Sequence, residues 1–407
     1  MPIARVAFLF LLSASALLAE EGDPRKIADS MSPEINQRIE SLIEEGKIAG
    51  AVTLVSRDGR IHHKEAMGFR DVDAKEPMTE DTIFRIYSMS KPITTAAAMR
   101  LVEQGKIALD DPVSRHLPRL ADPVVFQKEG DPIPAQKEPT IRDLMRHTSG
   151  YSYGFVGGEV AEQYRKVDIL DRNSSLEAMV EKLSQIPLQE EPGTRWLYSI
   201  SVDVLGAVIQ AASGEKLESY LASNIFSPLG MKDTRFYVKE EDQDRFASQH
   251  GRKQSGELQI SEAAEESRFL SPPGLPSGGG GLCSTISDYH RFCQMILSRG
   301  AFEGKQILKP ETVDQMIQNQ LPESISHIGI GDERIGVRFG LGFAVRKEES
   351  TWGFGGKTGE IGWGGAASTH FWILPEEGLS VITLRNFMPY EWTLEAELKK
   401  LVYDSLD

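Results

Sequence analysis

The chain has 407 residues, with 60 Asp and Glu against 45 Lys and Arg, for a formal net charge of −15 at neutral pH. No basic run could follow a phosphate backbone, which argues against nucleic acid as a partner. The length allows one large domain or two ordinary ones with a well-buried core, and nothing in it fixes an oligomeric state.

Arg5 followed by a 14-residue apolar run from Val6 to Ala19, then Glu20, reads as a signal peptide over residues 1–19. The expected product is exported, periplasmic or secreted, with no stable membrane anchor, because the run falls short of the ~20 residues a span needs. From Ser32 to Lys47 apolar residues recur at 35, 39, 42 and 43 with Pro33 just inside the start, an amphipathic helix. "GAVTLVSRDGRIHHKEAMGF" is two strand-like runs joined by Asp58-Gly59, a hairpin signal.

Residues 95–285 read as a mostly helical domain, with helices at "TIRDLMRHTSG", "SLEAMVEKLSQI", "VDVLGAVIQAASG" and "KLESYLASNIFSPLG". Strands return at "GVRFGLGFAVRK", "AASTHFWIL" and "LSVITLRNF", and "EWTLEAELKKLVYDSL" closes the chain as a helix. Strands from both ends of the chain imply one antiparallel sheet formed by residues 20–94 and 286–407, flanked by the terminal helices. The fold class is α+β, with a site expected between the sheet domain and the helical domain. Two cysteines, Cys283 and Cys293, cannot form a disulfide framework. One bridge is open to an exported chain, but two separately buried thiols fit better, since Cys293 falls on the apolar side of a helix-like stretch. The histidines are scattered without metal-ligand spacing, so no metal and no cofactor is expected.

Serine needs a base within reach to act as a nucleophile. In "FRIYSMSKPIT" Ser88 and Lys91 stand one helical turn apart, whereas Ser90 points elsewhere. Pro92 is tolerated only in a first turn, so Ser88 falls at a helix N-terminus, where backbone N–H groups favour a developing negative charge. "KPITTAAAMRLVEQGK" continues that helix with an apolar stripe at Ile93, Ala97, Met99 and Leu101. Two rival motifs are weaker. "GYSYG" places Ser152 in a G-x-S-x-G pattern, but it follows a helix rather than a strand, and Gly150 is better read as the stop of that helix. "GFGGKTG" has Thr351 where a phosphate loop needs its first glycine, and no helix follows.

Three elements stand in order: Ser88-x-x-Lys91, Tyr198 within "PGTRWLYS", and Lys357-Thr358-Gly359 before a strand. Together with "TIRDLMRHTSGYSYGF", "GGGGLCSTISDYHRF" and "GWGGAASTHFWILPEEGL", they resemble the serine β-lactamase superfamily. The likeness is to class C β-lactamases and the related penicillin-binding-protein-like carboxylesterases of family VIII type, over roughly residues 33–390. The resemblance implies an antiparallel sheet joined to a helical domain, with the active site in the cleft between. It implies Ser88 as the acyl-accepting nucleophile, Lys91 as its charge partner, and Tyr198 as general base and then general acid, with Lys91 and Lys357 favouring a negative charge on its phenol.

Two departures bear on substrate. Where the β-lactamases have Tyr-x-Asn, this chain has Ile200, so the amide is missing unless Asp203 or another polar residue replaces it. Lys357-Thr358-Gly359 has the β-lactamase form, whereas Trp363-Gly364-Gly365 looks like the esterases' version of the same element. The longer matching context favours the second. An oxyanion hole, worth about 2.7–4 kcal/mol per donor, is expected from the N–H of Ser88 and that of Glu360 or Ala366. The reading is a serine hydrolase that forms an acyl-enzyme on small acyl esters or amides, with weak β-lactam hydrolysis. The alternatives are a β-lactamase or D-amino-acid peptidase of the cell envelope, and a non-catalytic envelope-binding protein. His147 in "HTSG" is given no catalytic role.

Overall fold

The computed structural model describes residues 26–348, 350 and 355–406; the expected signal peptide lies outside them. Helix α1 (Met31–Glu44) leads into strands β1 (Gly50–Arg57), β2 (Arg60–Asp71) and β3 (Glu76–Pro77). Five strands near the end of the chain, β4 (Val337–Phe339), β5 (Ala344–Arg346), β6 (Ile361–Gly365), β7 (Thr369–Leu374) and β8 (Leu379–Leu384), complete one sheet in the order β4-β5-β6-β7-β8-β1-β2-β3. Every neighbouring pair is antiparallel, and β1 closes against β8 with Val52 opposite Leu384 and Leu54 opposite Ile382. The first and last strands of the chain thus share one ladder, as the strand-helix-strand order predicts.

Period-2 alternation sorts the strands' side chains onto two covered faces. Ala51, Val55, Trp372, Leu374, Leu379 and Val381 meet Ile35, Ile39 and Leu42 of α1 and Leu394, Leu398 and Val402 of the C-terminal helix α5 (Thr393–Asp404). Their neighbours Val52, Leu54, Phe371, Ile373, Ile382 and Leu384 join the main core, together with α2 (Ser90–Glu103), α3 (Ser201–Ser213) and α4 (Ile286–Leu297). Each fully buried Leu, Ile or Val side chain contributes about 1.5–3 kcal/mol, so the two faces together fix the register.

Two elements differ from expectation. Helix α2 is buried nearly all round, Ser90 to Met99 and Leu101 included, because α3 packs along it and the chain at Gly278 and Gly342 closes on Thr94 and Thr95, and small Ala and Thr positions allow that approach. The middle of the chain also holds an antiparallel hairpin, Gln249–Arg252 with Leu258–Glu262, which periodicity did not mark. Cys283 and Cys293 are both free and buried. No helix among the described residues is long and apolar enough to cross a membrane.

One contact ties sheet to site. Gly365, the last residue of β6, lies so close to the chain before Ser88 that an added Cβ would be 2.2 Å from the Ile86 carbonyl and 2.3 Å from Thr369 Oγ1. Gly365→Ala must therefore push β6 away from the Ser88 turn. We expect a loss of about 1–3 kcal/mol in stability from overpacking, visible as a lower thermal midpoint, together with slower labelling of Ser88 by a fluorophosphonate.

Candidate active site

Ser88 sits in a single 3-10 turn, Tyr87–Met89, that runs directly into α2. Tyr87 has φ +40°, a left-handed conformation that costs a residue with a side chain about 1–3 kcal/mol and persists only where surroundings over-determine it. They do so here. The Ile86 N–H donates to the Leu282 carbonyl at 3.0 Å, and the Leu282 N–H donates to Ser90 Oγ at 3.2 Å. Ser90, the motif's other serine, is buried and has this bracing role. Pro92 falls in the first turn of α2, as its missing N–H requires.

The Lys91 ammonium is buried at 1 % exposure and spends its three donors on three fixed acceptors. These are Ser88 Oγ at 3.1 Å, Tyr153 Oη at 3.0 Å and the Gly279 carbonyl at 2.7 Å. Tyr198 reaches Ser88 from the opposite side, its hydroxyl donating to Oγ at 2.5 Å. Backbone bonds from Leu197 N to His147 O (2.8 Å) and from Ile200 N to Ser152 O (3.2 Å) lay the Tyr198 segment alongside residues 147–152. Tyr198 and Tyr153 consequently stand side by side, ring centroids 5.3 Å apart, with Lys91 Nζ 4.6 Å from the Tyr198 ring centre.

Tyr153 is the site residue that sequence reasoning missed. It belongs to "GYSYG", and Ser152 beside it is buried, with its backbone groups tied to Tyr164 and Ile200. Burial first, then the charges of Asp203 and Tyr198, hold the Tyr153 phenol well above its ordinary range, so it remains neutral. Ile200 is fully buried. Asp203 does not replace the missing amide toward the cleft: it lies beneath Lys91, accepting from the Gly279 N–H at 3.1 Å and Ser277 Oγ at 2.5 Å. Burial raises its pKa against the opposing charge of Lys91. Its work is to hold the loop whose carbonyl receives Lys91. His147, packed among Trp196, Tyr198 and Phe339, is kept neutral by burial and then by the charge of Lys91.

The residues proposed for the strand side of the site divide. Trp363 is at the site, its Nε1 donating to Tyr198 Oη at 3.4 Å and its ring 5.4 Å from that of Tyr198. Ala366 joins Ser88 in lining both hollows that meet there, one of about 470 Å³ and one of about 390 Å³. Lys357, Thr358 and Gly359 line neither of them. Lys357 is exposed, with Nζ 5.3 Å from the ring centre of Tyr403. The correction is geometric: Gly365, not the K-T-G turn, abuts the Ser88 segment, and the five steps from Glu360 to Gly365 span roughly 16 Å of strand. The place beside Tyr198 that a cation was expected to fill is held by an indole. Glu360 is likewise no oxyanion donor, since its N–H closes the turn onto the Lys357 carbonyl at 3.1 Å. Ala366 remains the candidate.

Beyond Trp363 the larger hollow crosses the sheet edge. Strand β5 pairs with β6 only through Ala344–Gly362 and Val345–Ile361, so among the described residues no strand continues that ladder past Gly362. On the far side the hollow reaches His370, Tyr390 and Lys399. Tyr390 donates to the Glu395 carboxyl at 2.6 Å, and Lys399 pairs with Glu360 at 2.5 Å. Among the described residues no group of three or more His, Cys, Asp or Glu is placed to hold a metal ion.

The sequence profile of the β-lactamase family matches residues 35–402. The chain belongs to the β-lactamase family. Esterase EstB of Burkholderia gladioli is 32% identical over 386 residues, covering 88% of this chain and 91% of that protein. The structure of EstCE1, described as a hydrolase with promiscuous acyltransferase activity, superposes with a TM-score of 0.79 at 30% identity, over 92% of this chain and 98% of that one. Unliganded simvastatin synthase (LovD) from Aspergillus terreus superposes at 0.75 with 25% identity, over 93% and 98%. The fold is that of the β-lactamases and transpeptidases, and the chain is a serine hydrolase.

The buried floor has a pH signature. Burial pushes the Glu395 carboxyl up to about 8 from 4.5, against the Tyr390 hydroxyl and the charges of Arg385, Lys399 and Arg334. The folded state therefore binds a proton that the unfolded chain releases, so this contribution to stability is complete below about pH 4.5 and is lost as pH rises to about 8. Glu395→Gln, which keeps the neutral shape, is expected to flatten that part of the thermal-midpoint profile. An unchanged pH slope would show that Glu395 is ionised in the folded protein.

Proposed function

We propose that the protein is a carboxylesterase that acts on small acyl esters through an acyl-enzyme at Ser88. The observation that carries this reading is the pairing of Ser88 Oγ with Tyr198 Oη at 2.5 Å and Lys91 Nζ at 3.1 Å, with Trp363 rather than a lysine against the tyrosine. Ser88 Oγ attacks the acyl carbon. Its proton passes to Tyr198 Oη in the form of the site where Tyr198 is the phenolate and Lys91 the ammonium. Lys91 stabilises the charge that moves between the two oxygens, and the N–H groups of Ser88 and Ala366 meet the oxyanion. As the tetrahedral species collapses, Tyr198 gives the proton to the departing alkoxide and the acyl group stays on Ser88. Water then attacks the acyl carbon as it gives its proton to Tyr198, and Tyr198 passes that proton to Ser88 Oγ as the C–Oγ bond breaks, which releases the acid and restores both serine and phenolate.

Tyr153 has a defined part in this scheme. Its neutral hydroxyl gives Lys91 an acceptor without adding charge, fixing the ammonium toward Ser88. The Tyr-x-Asn amide is lacking and Trp363 stands against Tyr198 where a third-motif lysine was expected, so β-lactam turnover is expected to be weak. EstB and EstCE1, an esterase and a hydrolase by name, support the same choice.

The test is intact mass after a fluorophosphonate, with hydrolysis of a 4-nitrophenyl ester, a chromogenic cephalosporin and a D-Ala-D-Ala peptide. The wild type should gain one adduct and turn over the ester best. Ser88→Ala should gain none, and Ser152→Ala should label normally. Strong turnover of only the cephalosporin and peptide would reverse the substrate ranking, and equal labelling of Ser88→Ala would end the mechanism. Tyr153→Phe is expected to lower kcat about 10- to 100-fold, the cost of losing one charge-assisted contact to the ammonium, and to shift the acid limb of the pH profile. A role in packing alone would leave that limb in place.

A further inference from the structure

The larger hollow collects cations in a chain whose formal net charge is −15. Arg334 lies in its wall at 9 % exposure. Its guanidinium carbon is 5.9 Å from the ring centre of Trp363 and 5.9 Å from that of Trp392, so it stands between two indoles. Backbone bonds from Arg334 N to Ile328 O (2.8 Å) and from Val337 N to Arg334 O (3.0 Å) fix the residue at the entry to β4. Further in, Arg346 and Lys399 have side chains at 2 % exposure. The carboxylates in the same wall are Glu360, paired with Lys399 at 2.5 Å, and Asp332, half-exposed and 3.6 Å from Arg334 Nε. His370 is held neutral by burial and by the charges of Lys399 and Arg334. Three cations against two carboxylates leave the wall net positive.

We propose that this hollow takes esters that carry a carboxylate, and that Arg334 is the group that meets it. The inference rests on the esterase reading above. Ser88 and Arg334 line the same hollow, and the Trp363 indole touches both Arg334 and Tyr198, so the arm of an ester at Ser88 that enters this hollow runs past Gly362 and Trp363 of β6 toward the guanidinium. A guanidinium offers five N–H donors in a planar fork that matches a carboxylate, so it can serve the wall and a ligand together. The flanking indoles keep water from it and limit its motion, which strengthens such a pair. Burial already presses the charged form of Arg334, and an arriving anion relieves that cost. The carboxylate can belong to the acyl arm or to the alcohol arm, since both leave the same carbonyl.

The experiment compares kcat/KM, after subtraction of spontaneous hydrolysis, for two pairs of esters. Mono-4-nitrophenyl glutarate against its methyl ester tests the acyl arm, and 4-butyryloxybenzoate against its methyl ester tests the alcohol arm. The wild type should favour the carboxylate in at least one pair by about tenfold, expressed mainly in KM, as expected for a charge-assisted bidentate contact. Arg334→Gln should lower kcat/KM for that carboxylated ester about tenfold more than for its methyl ester, and Arg334→Lys should recover part of the difference. A wild type that prefers the methyl ester in both pairs overturns the proposal without any variant, as do equal losses on both esters in Arg334→Gln. If neither methyl ester is hydrolysed and Ser88 takes no fluorophosphonate, it is the esterase reading that fails, and this inference with it.

Discussion

A buried ammonium is the constraint around which the rest is arranged. Lys91 has almost no contact with solvent, and an ion without partners in that setting costs several kcal/mol. Its three acceptors come from three stretches of chain: its own helix, residue 153 and the loop at Gly279. Each is braced in turn, Gly279 by Asp203 from α3, Tyr153 by the strand-like segment that carries Tyr198, and Ser88 by the strained turn at Tyr87. Satisfying one charge draws α2, the 147–153 segment, α3 and the 277–281 loop onto a single point, and Ser88 lies where they meet.

The hydrophobic pattern made the frame legible. The 3.6-residue spacing of Ile35, Ile39 and Leu42 is the face α1 buries, and the alternation through Phe371 to Leu374 is the two-sided burial of β7. Ser88 and Lys91 were readable because both lie within one turn of one helix. Tyr198 and Trp363 came with long stretches of matching sequence. Tyr153 lies in such a stretch too, but no motif singled it out, because its value depends on lying beside Lys91, 62 residues away; Ile200 carried a hint, marking an amide whose place another polar group had to take. Lys357 misled for the opposite reason: three residues had the right letters, but strand register set them at the wrong end of β6. The Gln249–Arg252 hairpin has mixed polarity on both strands and offers no clean period to read.

Two hollows share Ser88. The smaller is walled by Tyr87, Tyr153 and Phe269 together with Arg165, Asp168, Arg172 and Arg268, and the larger passes Trp363 and the stretch of β6 that, among the described residues, pairs with β7 alone, into buried charge. Phe155, 68 % exposed, lines both and stacks on Tyr153 at 4.5 Å. Ser88 and Lys91 stand where a 3-10 turn runs into α2, whereas the wall of the larger hollow combines strand residues such as Ala344, Gly362 and His370 with loop residues such as Asp332 and Tyr390.

The closing of β1 against β8 has a consequence in time. Ser88, Lys91, Tyr153 and Tyr198 are all synthesised before the strand that carries Trp363 and the Ala366 that follows it, and in the sheet β1 has only β2 as a partner until β8, which begins at Leu379, is available. Contacts of such long sequence separation form late and slowly. The emerging chain thus holds Ser88, Lys91, Tyr153 and Tyr198 well before it has Trp363 and Ala366, the residues that complete the site from the strand side.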